Sequence, residues 1–124
     1  MRDDRDYKVR GFSESDSGRG VTVNATTSPG TLIHTALTSP AANEWDEITL
    51  QAVNNTGSAV SLTVEAGGNT TADRITVSIP ANSGLTTVLS ELVLNGGVPL
   101  RAYASTASAV TVFGFLRRYE QEGR

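Results

Sequence analysis

One histidine, an acidic run around the single tryptophan and three Asn-x-Thr triplets are the residues of this chain whose types could do chemistry. His34 could act as a base towards one of the many serines, but nucleophilic catalysis needs an oriented nucleophile, base and stabilising donors, and no local motif announces that set. A packed or surface histidine is the plainer reading. In an extended segment Glu44 and Asp46 fall on one side and Trp45 and Glu47 on the other, so the carboxylates could hold a hard cation or the indole could stack on a sugar ring. Calcium takes about 6 to 8 oxygen ligands and no others are identifiable, which favours a strand entry whose Trp caps the core. The triplets Asn24-Ala25-Thr26, Asn54-Asn55-Thr56 and Asn69-Thr70-Thr71 matter as glycosylation acceptors only in a secreted chain. The start, Met1-Arg2-Asp3-Asp4, lacks the apolar core of a signal peptide, so cytosolic synthesis is expected. No P-loop or dinucleotide fingerprint appears, and the expectation is a protein without catalytic residues, cofactor or metal.

Those residues must be positioned by a single domain, because 124 residues suffice for one sandwich core and not for two. Ten basic and thirteen acidic residues give a net charge of −3, which offers no global attraction for nucleic acid or anionic membrane, and neither partner is expected. Without cysteine there is neither disulfide nor thiolate site. No apolar run approaches the roughly 18 residues of a membrane-spanning helix.

Charge divides the chain into three zones. Residues 1–20 mix five basic and five acidic residues around Tyr7, Val9 and Phe12, which reads as a flexible arm that orders on a partner, with Tyr7, Lys8, Arg10 and Phe12 as its contacting residues. Residues 21–119 form the expected β-sandwich domain, and from Val21 to Gly114 only eight residues are charged, a surface easily buried against another subunit. From Arg117 on, dense mixed charge returns. That stretch is expected in solvent or at an assembly edge, ending in a polar tail over 120–124.

Within the middle zone apolar residues alternate with Thr and Ser, the period of strands with one buried face. Val60, Leu62 and Val64 make one such strand, and Ile75, Val77 and Ile79 another. Ile48, Leu50 and Ala52 make a third, and the turn-rich Asn54 to Gly57 suggests a hairpin into the Val60 strand. Pro80 ends the Ile75 strand, Ala81 to Gly84 turns the chain towards Leu85 to Leu89, and Asn95-Gly96-Gly97 turns it into Val98 to Ala104. Further strands are expected at Val21 to Asn24, Leu32 to Leu37 and Ala109 to Arg118, while Ser90 to Leu94 is either strand or a short helical turn. About eight short strands make an all-β, two-sheet antiparallel sandwich, jelly-roll-like more than immunoglobulin-like.

The last strand points to association. Val110, Val112 and Leu116 fall on one face and Phe113 and Phe115 on the other, so both sides are apolar. The second cover is the opposite sheet, the folded-back N-terminal arm or a neighbouring subunit. Phe113, Phe115 and Tyr119 are the candidate subunit interface.

The segments Ile79-Pro-Ala-Asn-Ser-Gly-Leu85, Leu94-Asn-Gly-Gly97, Leu100-Arg-Ala-Tyr-Ala104 and Val112-Phe-Gly-Phe-Leu-Arg-Arg-Tyr119 resemble small structural proteins of tailed bacteriophages and prophage-like particles. The resemblance spans roughly residues 44 to 119. It implies a virion component: a capsid decoration (cement) protein or head-fibre base, built as a β-sandwich, often homotrimeric, with the major capsid protein as partner. It carries no active residues. It also implies synthesis in the bacterial host cytoplasm and a place on the capsid surface. Two alternatives stand beside it: a tail, neck or baseplate component, and a carbohydrate-binding module that stacks sugars on Trp45, Tyr103 or Tyr119.

Overall fold

The structure, a computed structural model, describes residues 7–38 and 44–120. The first six residues of the expected arm and residues 121–124 of the polar tail lie outside them.

Among the described residues nine strands follow one another: β1 (Tyr7–Arg10), β2 (Val21–Val23), β3 (Thr31–Thr35), β4 (Trp45–Asn54), β5 (Val60–Ala66), β6 (Arg74–Ile79), β7 (Thr86–Leu94), β8 (Pro99–Ala104) and β9 (Val110–Tyr119). Between β5 and β6 lies a single 3-10 turn, Thr71–Asp73. One sheet runs β1-β9-β4-β7, with β2 also on β9, and the other runs β3-β8-β5-β6. Every pairing is antiparallel. Because β1 and β2 pair with opposite ends of β9, they act as two halves of one interrupted strand. Counted that way the sheets read 1-8-3-6 and 2-7-4-5, the winding of a jelly roll.

Period-two alternation builds the core. In β4 Asp46, Ile48, Leu50, Ala52 and Asn54 are buried and every residue between them is partly exposed. They meet Leu116, Val112 and Val110 of β9 in the same sheet and Leu62, Val64, Ile79 and Leu100 from the other, all buried. Each such aliphatic side chain contributes about 1.5–3 kcal/mol by leaving water.

Two expectations are corrected by the coordinates, and the choice left open at Ser90 to Leu94 falls to strand. The turn after β4 is not a hairpin, since β4 and β5 belong to different sheets. Asn54 makes the crossing: its Nδ2 donates to the carbonyls of Ser58 (2.8 Å) and Ile79 (3.0 Å), and its Oδ1 accepts from Thr56 N–H and Oγ1. That side chain is fully engaged and buried, so this triplet offers no accessible glycosylation amide. Ser90 to Leu94 is strand, with a bulge where Ser90 and Glu91 together oppose Thr49 and Glu91 adopts φ +58°. The described part of the N-terminal segment is laid on the sandwich: β1 pairs with β9, and Phe12, expected on a capsid-contacting arm, is 3% exposed within the core.

Glu65 shows how a loop is fixed. Its carboxylate is buried on the outer side of β5 and accepts hydrogen bonds from Ser28 Oγ (2.5 Å) and Gly30 N–H (2.7 Å), while Arg101 donates to the Gly30 carbonyl (3.1 Å). Replacing Glu65 by Ala would leave the Gly30 amide buried and unpaired. A loss of about 3 kcal/mol in urea unfolding is expected.

Candidate interaction face

The outer side of the five-stranded sheet collects most of the aromatic residues. Cα partners across β1, β9 and β4 set the rungs: Tyr7, Tyr119 and Trp45 form the first, and Val9, Arg117 and Glu47 the second. Phe115 with Thr49 and Phe113 with Gln51 follow. All these side chains point away from the core because their strand neighbours Leu116, Ile48 and Leu50 point into it.

The first rung is a continuous aromatic strip. Ring centroids lie 5.3 Å apart for Tyr7 and Tyr119 and 5.5 Å apart for Trp45 and Tyr119, each pair tilted. Trp45 Nε1–H donates to Glu47 Oε2 (3.2 Å). The Arg117 guanidinium lies over two rings at once, 5.5 Å from the centre of Tyr7 and 5.8 Å from that of Phe115, while also donating to Glu91 (3.4 Å). Burial first, and then the negative charge of Glu47, holds the Tyr119 phenol above its ordinary pKa, so it stays a neutral donor at physiological pH. Tyr7 (48% exposed), Val9 (64%), Val93 (51%) and Phe115 (36%) leave this side substantially apolar and open.

Phe113 has a cover of its own. Any Cβ at Gly20 would run into Thr111 and the Phe113 ring, so the chain entering β2 passes directly over that ring. The folded-back N-terminal segment therefore shields Phe113, while Phe115, with Arg117 over its ring, stays partly open. Tyr7, Phe113, Phe115 and Tyr119, predicted as contact residues, share this side; Lys8 and Arg10 point to the other side of β1, where they are exposed. Charges on an edge strand discourage strand addition at the β1 edge.

Beneath the face the acidic run has a structural task. Asp46 accepts a two-pronged hydrogen bond from Arg118 (2.8 and 3.0 Å), another from Leu37 N–H (3.0 Å) and one from His34 Nε2 (2.9 Å). His34 Nδ1 in turn accepts the Ser13 amide (3.0 Å), so neither ring nitrogen is free to serve a serine. Among the described residues no group of three or more His, Asp or Glu side chains gathers to hold a metal. Sequence reasoning missed Arg118 as the partner of Asp46 and Arg117 as the cation over the rings. The signal was the period of two, which puts Arg118 in phase with Leu116 and Arg117 in phase with Phe115. Tyr103, a candidate sugar platform, belongs to the other sheet, on β8.

No protein-family model, curated protein or solved structure matches this chain.

Proposed function

We propose that the protein is a non-enzymatic virion structural component, a capsid decoration protein that associates with copies of itself, as a trimer, through the outer face of the five-stranded sheet and binds the major capsid protein. The observation that carries the self-association is the open rung of Tyr7, Tyr119 and Trp45 beside Arg117 and Phe115. Trp, Tyr and Arg are the residues that dominate interface energetics, because each combines a large apolar area with a polar handle. Four strands about 4.8 Å apart and up to ten residues long cover about 600 Å². Two such faces bury at most about 1,200 Å² together, less the part over Phe113 already covered at Gly20, and in a trimer each face is shared between two neighbours. The virion assignment rests on the resemblance over residues 44–119 and on a jelly-roll winding also used by capsid proteins, a fold-level analogy. Lys8 and Arg10, exposed on β1, are the contacts proposed for the coat protein, and many weak copies would add by avidity.

Light scattering on the full chain tests the association. Wild type is expected as a trimer, and Phe115→Asp is expected to weaken assembly about 100-fold while leaving the thermal midpoint within a few degrees. A monomeric wild type at high micromolar concentration would sink the interface. The aromatic strip also supports a second reading, a carbohydrate-binding module. A glycan array on wild type and Trp45→Ala separates the two, since sugar binding lost with Trp45 in a monomer favours the module. Fractionation of purified particles distinguishes head from tail, neck or baseplate.

A further inference from the structure

We propose that residues 11–15 are an acid-sensitive strap that closes one side of the sandwich only while His34 is neutral. After β1 the chain leaves the five-stranded sheet and crosses to β3, at the edge of the other. Phe12 enters the core, Ser13 N–H donates to His34 Nδ1 (3.0 Å), Thr35 N–H donates to Ser13 Oγ (2.9 Å) and Glu14 N–H donates to the Ile33 carbonyl (3.1 Å). The strap thereby joins the two sheets through Phe12, two bonds to the β3 backbone and one to the His34 imidazole, and only the last depends on a titratable group. An Nδ1 that accepts a backbone N–H carries no proton, so the proton sits on Nε2 and points at Asp46, whose carboxylate can only accept.

Protonation changes one end of this ring and not the other. The bond to Asp46 survives, but Nδ1 becomes a donor facing the Ser13 donor, and the hydrogen bond that seats the strap is lost. The charged groups around the ring are Asp46 on β4, hydrogen-bonded to Nε2, and Arg118 on β9, which pairs with Asp46. Arg10, Phe12, Ser13, His34 and Arg118 line a cleft of about 590 Å³. Glu14, the next residue on the strap, adds a carboxylate. Among the described residues β1 pairs with β9 alone, so no second described strand holds it once the strap lets go. Tyr7 and Val9 would leave with it. The consequence for association, though not the strap itself, rests on the interface reading above.

Amide hydrogen exchange on the full chain between pH 7.5 and 5, expressed as protection relative to the unstructured rate, tests the strap alongside an NMR titration of the His34 ring. Protection of Ser13, Glu14 and Thr35 should fall about tenfold with the midpoint of His34, while β4 and β5 stay protected. In His34→Gln that pH dependence should vanish. Should this variant misfold, the wild-type comparison decides alone. Ser13 protection that stays constant while His34 titrates overturns the proposal, as does a ring that stays neutral until the whole fold opens. Light scattering over the same range reads the face separately: an unchanged mass while the strap opens refutes the link to association and leaves the strap intact.

Discussion

Gly114→Ala is expected to cost about 4 kcal/mol, a large fraction of the stability of a domain of this size. Gly114 adopts φ +149°, a region that side-chain-bearing residues enter only under strain of about 1–3 kcal/mol. Its missing Cβ points at two obstacles, the carbonyl oxygen of Thr49 on the neighbouring strand and the edge of the Phe12 ring, 3.0 Å from where that Cβ would sit. Overpacking adds about another 1–3 kcal/mol. Both strands are central to the sheet, so neither can step aside without breaking pairs on its far edge. Urea unfolding of the variant measures the loss. Adding Phe12→Ala should not rescue it, because the carbonyl remains and an empty core site costs about 3–5 kcal/mol more. A wild-type midpoint in Gly114→Ala would mean that β9 does not pass Thr49 so closely. The glycine also decides the face: it lets Phe12 fill the inner side of β9 between the two outward phenylalanines.

The strands were legible because each buries one side, and side-chain period alone identifies such segments. Ile48 to Ala52, Val60 to Glu65 and Ile75 to Ile79 were read from nothing more. Which sheet a strand joins was not legible at Asn54: turn-rich residues specify a reversal, and the same chemistry that closes a hairpin here bonds Ile79 of the opposite sheet. Tyr7 to Arg10 escaped notice as a strand because all four side chains are exposed and two are basic, leaving no buried face to give a period. Phe12 was placed on an arm since its neighbours are Gly, Ser and charged residues. Only the void at Gly114, a hundred residues away, explains its burial. Of the face, Phe113, Phe115 and Tyr119 followed from alternation in β9, whereas Trp45 and Tyr7 joined them through register, which sequence pattern does not fix across strands.

Arg118→Met is expected to destabilise the protein by about 3–5 kcal/mol at pH 7 and to move acid unfolding to higher pH. Asp46 is fully buried, and burial, the largest influence on it, pushes its pKa up. Hydrogen bonds from His34 and Arg118, the Arg118 charge and the Leu37 amide together outweigh that and hold it at about 2, below the ordinary 3.8. A carboxylate whose folded value lies below its unfolded value adds stability above about pH 4, and that stability is lost as pH falls towards 2. The difference is worth about 2 kcal/mol. Without Arg118 burial acts against fewer opponents, so the folded value rises, the stabilisation shrinks or reverses, and the acid limb begins nearer neutrality. Replacing the pair by apolar residues of matching volume need not cost anything, because desolvating two ions consumes most of their attraction; breaking it on one side strands a buried charge. Asp46→Asn with Arg118→Met therefore separates the two ideas. If the double variant recovers much of the loss, the pair acts to seat β4, β9 and His34 in one register; if it is as weak as Arg118→Met alone, the Asp46 charge itself is needed to hold His34 and the Leu37 amide.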